Sequence, residues 1–227
     1  MRAGSNVNSL DGIHSPAVWW SVPRSAEPTQ RRILDAAYGL FYRKGFGRVS
    51  VDEIAASAGV TKRTLYYHFK SKDELLESVL ELNGELAIAR LRKREHRYTG
   101  SADEILSNLF SDLAKWSATP GWTGAGFTRL VMELADLPGH PARAVARRHK
   151  AAVEEWWGGL LRTAGVASPS ERAREVMLLM EGAMAMILIH GDREYANAAA
   201  QAVKRLVSKG ALRQASSSRS RRITPAS

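Results

Sequence analysis

The sequence contains no cysteine among its 227 residues. Without thiols there can be no disulfide framework and no thiolate metal site, and a reducing cytoplasmic location is expected. Long apolar runs are missing as well. The longest, residues 176–189, is interrupted by Glu181 and falls short of the roughly 18 residues that span a bilayer. These absences favour a soluble cytoplasmic protein without a membrane partner.

The strand-like alternation of apolar and polar residues is also absent, and helical spacing recurs along the chain. The fold class is therefore predicted to be all-α, with about nine helices. Caps and Gly or Pro breaks place these helices at 29–44, 51–58, 61–69, 71 to about 98, 101 to the break at 120–121, 123–137, 141 to Gly165, 168 to Gly191, and 192–208.

Catalytic patterns are missing too. The glycine-rich stretch GWTGAG, residues 121–126, follows no strand and lacks a P-loop lysine, so it is interpreted as a helix breaker. His96, His140, His149 and His190 do not have the i, i+4 spacing of a metal site on one helix. No catalytic residue, metal site or cofactor is expected, and the chain is not predicted to be an enzyme.

Residues 50–69, SVDEIAASAGVTKRTLYYHF, carry the most informative pattern. Ser50 and Glu53 form a capping box that starts one helix, and Gly59 provides the turn after it. Thr61 can cap a second helix, whose Leu65 and Phe69 point inward together. The stretch is therefore predicted to be a helix-turn-helix.

Polar and aromatic side chains occupy the outer surface of the second helix. In a helix-turn-helix this helix enters the major groove, where its first residues contact base edges and flanking groups contact phosphates. The residues expected to contact DNA are Ser50, Thr61, Lys62, Arg63, Thr64, Tyr66, Tyr67, His68 and Lys72. Base edges are expected to be contacted by Lys62, Arg63, Thr64 and Tyr66, and phosphates by Ser50, Tyr67, His68 and Lys72. Lys72 begins a further helix, where a cation opposes the helix dipole unless a phosphate binds there.

Residues 31–46 (RRILDAAYGLFYRKGF) and 51–75 (VDEIAASAGVTKRTLYYHFKSKDEL) carry a still more specific pattern. Over about Glu27 to Ala87 the chain resembles the DNA-binding domain of the TetR/AcrR family of bacterial transcription regulators. The resemblance implies a helix-turn-helix domain followed by a C-terminal helical bundle. It further implies a homodimer that binds operator DNA as a repressor and leaves it when a small-molecule effector binds.

Four segments are expected on this basis. They are a disordered arm at 1–26, a DNA-binding domain at 27–87, a ligand-binding and dimerisation domain at 88–208, and a disordered basic tail at 209–227. The arm has an apolar patch, residues 17–20, that is too short for a signal-peptide core. The tail has five cations and no acid, half of the net charge of +10, and should add salt-sensitive, non-specific DNA affinity.

The two C-terminal helices are expected to form the dimer interface. The first of them carries Gly182, Ala183 and Ala185 beside Met184, Met186 and Ile187, and the last carries Ala196, Ala198, Ala199, Ala200 and Ala202. Small residues allow close approach, and methionines fill irregular gaps. An intramolecular core could use the same residues.

Large apolar side chains in helices five to eight are expected to line an effector pocket. They are Trp116, Trp122, Phe127, Met132, Trp156, Met177 and Met180, with Glu133, His149 or Glu181 as the polar contact. Packing of the core is an equally good explanation for these residues. Three alternatives for the whole chain stay open. They are a non-specific architectural DNA-binding protein, for which the positive charge would be the main feature, a ligand-independent regulator or activator, and a helical binding module that no longer reads DNA.

Overall fold

Residues 28–220 are described by the structure, a computed structural model, and they form nine α-helices. The helices are α1 (Pro28–Lys44), α2 (Val51–Ala58), α3 (Lys62–His68), α4 (Lys72–Lys93), α5 (Ala102–Ser117), α6 (Gly126–Met132), α7 (Pro141–Thr163), α8 (Pro169–His190) and α9 (Glu194–Ser220). The predicted all-α class is confirmed. The N-terminal arm expected at 1–26 lies outside the described residues.

The first three helices form where their local signals predict. α1 buries one apolar face, which includes Ile33, Ala37 and Phe41. α2 ends at Gly59, whose φ of 64° is left-handed and lets its N–H bond back to the last carbonyls of the helix. This turn sets the direction in which α3 leaves.

The capping boxes at the starts of α2 and α4 are only half formed. Ser50 accepts a hydrogen bond from the Glu53 N–H at 3.1 Å, but the Glu53 carboxylate bonds to Lys44 Nζ. At α4 the Glu74 carboxylate likewise bonds to the Lys70 N–H, 2.6 Å away. A nearby cation or an adjacent free N–H competes successfully for each glutamate. At α5 both halves of the box are present.

The side chains pack into two hydrophobic cores, and the first is shared between the expected domains. α1 to α4 supply most of it, but Leu130 and Leu134 from the α6 region and Ala142 and Val145 from α7 belong to the same core. His140, which caps α7, is also buried, and its Nε2 lies 3.5 Å from Asp73 Oδ1 in the first turn of α4. The second core lies among α5, α7, α8 and α9.

Three helices, α4, α6 and α9, have bounds that differ from the sequence expectation. α4 ends at Lys93 rather than near Tyr98, and a 3₁₀ turn at Glu95–Arg97 follows it. This turn lets Tyr98 point inward, where it is 5% exposed and donates a hydrogen bond to Asp112 at 2.9 Å.

The expected sixth helix, 123–137, is reduced to Gly126–Met132, because Gly124 has a φ of 79° and turns replace the last part. α9 continues to Ser220, past Lys209 where the tail is expected to begin. Ala211, Leu212 and Gln214 are good helix formers, and no proline intervenes before residue 225.

Candidate nucleic-acid interface

α3 presents two tyrosines to solvent from a firmly packed base. Leu65 is fully buried and Phe69 is 2% exposed, so one side of this short helix is fixed against α1 and α2. Tyr66 is 44% exposed and Tyr67 is 84% exposed. Exposing two neighbouring aromatic rings to water is unfavourable, and a binding partner that covered them would remove that cost. This face is therefore a candidate binding surface.

The N-terminus of α3 is capped by its own threonines. Thr61 accepts a hydrogen bond from the Thr64 N–H at 3.0 Å, and the two hydroxyl oxygens lie 2.8 Å apart. Lys62 Nζ pairs with Asp52 Oδ2 at 3.0 Å, and this hydrogen bond raises the pKa of Lys62. Both partners are exposed, so the pair contributes little to stability and can be exchanged for a nucleic-acid contact. Arg63, beside them, is exposed.

The predicted phosphate contacts flank this helix. The Ser50 oxygen accepts the Glu53 N–H, so its hydroxyl hydrogen can still be donated to a phosphate. The ring of His68 lies at the edge of the Tyr67 ring, with centroids 5.2 Å apart. Lys72 Nζ lies 4.2 Å from the centroid of the Phe46 ring. Burial against that ring lowers the pKa of Lys72.

Sequence reasoning did not identify two other cations near this surface. Arg48 precedes Ser50 by two residues, and Lys70 lies between α3 and α4; both are exposed. Their positions next to predicted contacts were the available signal. They extend the positive surface along the loops on either side of the helix-turn-helix.

The structure does not bring the seven predicted effector contacts into one pocket. Five of them pack against the second core: Trp116, Trp122, Trp156, Met177 and Met180. Phe127 packs against the first core instead, and its ring stacks on that of His149 with centroids 4.4 Å apart. Met132 is 70% exposed. Met132 is therefore in no position to line an enclosed pocket.

The three polar candidates have separate surroundings. Glu181 accepts a hydrogen bond from Thr128 at 2.7 Å and also pairs with Lys150. Burial, with a smaller contribution from the adjacent Lys150 charge, lowers the pKa of His149 to about 4. Glu133 accepts a hydrogen bond from the Gly47 N–H at 2.9 Å, in the loop between α1 and α2.

A groove of about 480 Å³ lies between α4 and α7. Glu85, Ile88, Arg148 and His149 contribute to its lining. His149 is thus one predicted effector contact that lies at a concave surface.

Two further findings concern the part of the chain that the structure describes. Among residues 28–220, no helix combines the length and the apolar character that crossing a bilayer requires. In the same range, no three His, Asp or Glu side chains cluster as a metal site would require.

Comparison with known families identifies the class. The model for bacterial regulatory proteins of the tetR family matches residues 33–79, and the model for the tetracyclin repressor-like C-terminal domain matches residues 129–209. Together they cover more than half of the chain, including both the helix-turn-helix and α6 to α8. The chain belongs to the TetR/AcrR family.

Individual curated relatives match part of the chain. The chain is 40% identical over 68 residues to the HTH-type transcriptional regulator UidR of Escherichia coli (strain K12), covering 30% of this chain and 35% of that protein. It is 34% identical over 92 residues to TtgR of Pseudomonas putida, covering 39% and 44% respectively. The chain thus spans less than half the length of these curated relatives.

Solved structures extend the similarity to most of the fold. A TetR-family transcriptional regulator from Streptomyces coelicolor superposes with a TM-score of 0.69 at 26% identity, covering 80% of this chain and 95% of that one. The reduced form of Escherichia coli NemR has a TM-score of 0.70 at 19% identity, covering 79% and 97%, and shares the fold.

Proposed function

We propose that this protein is a sequence-specific, DNA-binding transcriptional regulator: a dimeric repressor that a small-molecule effector releases from a palindromic operator. The observation that carries the proposal is the outer face of α3. Arg63, Tyr66 and Tyr67 are exposed there, while Leu65 holds the opposite side in the core. That is the arrangement by which a recognition helix reads base edges in the major groove.

The experiment is selection of genomic DNA fragments by the purified full-length protein. Enrichment of a sequence with two related half-sites, retained against an excess of random duplex, is the expected result. Binding that random DNA competes away equally well would favour an architectural protein. Failure to retain any fragment at low salt would favour a helical module that does not read DNA.

The homodimer is supported by an apolar stripe on α8. Leu178, Gly182, Ala185 and Ile189 recur at helical spacing and are all exposed; Leu178 is 68% and Ile189 66% exposed. Two such stripes could pack against each other with small residues at the centre. Other residues expected in the interface, including Ala183 and Ile187, are buried in the second core of the same chain. The exposed stripe is therefore the proposed contact.

The effector site is proposed within the second core and around Glu181. The indole N–H groups of Trp122, Trp156 and Trp157 are buried without an acceptor among the described residues. Buried donors of this kind would gain from a ligand that carries hydrogen-bond acceptors and an apolar body. The effector can shift DNA binding only by its differential affinity for the two protein states.

Genes next to the selected DNA fragments suggest which compounds to screen. A compound that binds the protein, quenches tryptophan fluorescence and releases the selected DNA would support the site. Compounds that bind in this region without ever altering DNA affinity would argue against a switch.

A further inference from the structure

The loop between α1 and α2 is held from outside the N-terminal helices. Gly47 donates its N–H to Glu133 Oε2 at 2.9 Å, across 86 positions of sequence. In the last turn of α1, just before this loop, the Tyr42 carbonyl accepts hydrogen bonds from the Arg129 guanidinium and from the Thr123 hydroxyl, the latter at 3.4 Å. The α6 region thus holds both the loop and the helix end that leads into it.

The Glu133 carboxylate lies directly against the loop backbone. A Cβ added to Gly45 would come within 2.5 Å of Glu133 Oε1, so only glycine leaves room for the carboxylate there. Gly45 also has a φ of 89°, a conformation that side chains rarely adopt. The close approach and the left-handed backbone act together to place Glu133 over the loop.

Two predicted phosphate contacts, Ser50 and Lys72, are connected to the loop near its hydrogen bond with Glu133. Three residues after Gly47 comes Ser50, the cap of α2. Phe46 directly precedes Gly47, and the centroid of its ring lies 4.2 Å from Lys72 Nζ. Burial lowers the pKa of Lys72, and the negative charges of Asp73 and Glu133 oppose that effect, which places Glu133 within electrostatic range of the lysine.

We infer that Glu133 is a positioning residue for DNA binding: its carboxylate fixes the α1–α2 loop between the predicted phosphate contacts Ser50 and Lys72. A loop held in place before binding has less conformational entropy to lose when it meets DNA. Glu133 does not itself touch DNA, because a carboxylate would repel phosphates. This inference rests on the proposed function.

Two substitutions separate the hydrogen bond from the charge. Glu133→Gln keeps an oxygen that can accept the Gly47 N–H, whereas Glu133→Ala removes it, and both remove the negative charge. The full-length proteins are compared on the duplex selected from genomic DNA, across a range of salt concentrations. Hydrogen exchange at Gly47 and thermal unfolding are measured in parallel.

Glu133→Ala is expected to bind the selected duplex about three- to tenfold more weakly than Glu133→Gln, the equivalent of one net hydrogen bond. A loop that is no longer held at Gly47 also frees Phe46, whose ring lies against Lys72, so the phosphate contact of Lys72 is lost. The plot of log affinity against log salt for Glu133→Ala should therefore be shallower by about one. Exchange at Gly47 should be faster in Glu133→Ala only. The unfolding temperature of Glu133→Ala should lie no more than about 2–4 °C below that of Glu133→Gln, since the hydrogen bond that is lost is an exposed one.

Equal affinities and equal salt slopes for the two variants would overturn the inference while leaving the proposed function intact. Wild-type protein that prefers no sequence would instead refute the proposed function, and this inference with it.

Discussion

α6 approaches the N-terminal helices closely at Gly126, and enlarging this residue tests the packing directly. A Cβ built on Gly126 would lie 2.3 Å from Tyr42 Cε2 and 2.4 Å from Cδ2. Carbon atoms in ordinary contact are about 3.5–4.0 Å apart, so the ring would have to move by more than about 1 Å.

Tyr42 has little freedom to make that movement. Its ring stacks on Tyr38 with centroids 5.6 Å apart and an interplanar angle of 11°. Its carbonyl is bonded to Arg129, one turn along α6. We therefore expect Gly126→Ala to lower the free energy of unfolding by about 1–3 kcal/mol, the usual cost of overpacking. In a chain of this size the unfolding temperature should fall by about 3–10 °C.

Gly159, inside α7, is the matched control. A Cβ added there meets nothing within 4 Å. Gly159→Ala should therefore stabilise the protein, by about 0.5–1 kcal/mol, through helix propensity alone. Denaturant and thermal unfolding of both variants, at one fixed protein concentration, provide the comparison. Gly126→Ala protein as stable as the wild type would show that α6 does not pack against Tyr42 as described. Tyr42→Leu in the Gly126→Ala background should recover part of the loss, since the two residues are coupled.

Four other substitutions test separate parts of the molecule. Arg63→Ala should cost about 1–3 kcal/mol of DNA-binding free energy and relax the preferred sequence. Lys72→Ala should weaken binding to all duplexes alike and reduce the salt slope by about one. An equal loss of specificity for both variants in quantitative gel shifts would contradict the assignment of Arg63 to base edges and Lys72 to phosphates. Ile189→Glu should give a monomer by light scattering at micromolar concentration, because the stripe on α8 would then carry a buried charge, and an unchanged dimer mass would exclude this stripe. The pKa of His149 is lowered to about 4 from its usual 6.5, so the folded state favours the neutral ring and stability should be lost as pH falls from about 6.5 towards 4. His149→Phe should lose less unfolding temperature between pH 7 and pH 5 than the wild type, and an equal loss would assign the acid sensitivity to other groups.

The N-terminal helices could be predicted because their signals are local. Ser50, Gly59 and Thr61 act on backbone groups within five residues of themselves, and the structure shows each of them in the predicted role. The exposed face of α3 follows from the same register, since burying Leu65 and Phe69 turns Tyr66 and Tyr67 outward. The DNA contacts themselves remain predictions.

The hydrogen bond between Glu133, directly after α6, and the α1–α2 loop could not be predicted in the same way. The sequence indicates Glu133 only as a polar contact for an effector, because nothing near this residue in the sequence points to its hydrogen bond with Gly47. The apolar pattern of α8 was ambiguous for a similar reason. The sequence of α8 has apolar residues on more than one side, among them Leu178, Ala183, Ile187 and Ile189. Which of them face the core of their own chain depends on where α5 and α9 pack against α8.

The shared first core has a consequence for how an effector could act. Because Leu130 and Leu134 are buried among α1 to α4, the α6 region cannot move away without exposing apolar surface, at about 25 cal/mol per Å². Small displacements of α6 would therefore carry the N-terminal helices with them. The hydrogen bonds to Tyr42 and Gly47 pass the same displacement to the loop that leads into α2. A ligand near Glu181, whose carboxylate bonds Thr128 on α6, would thus be one helix away from the loop that supports the DNA-binding face.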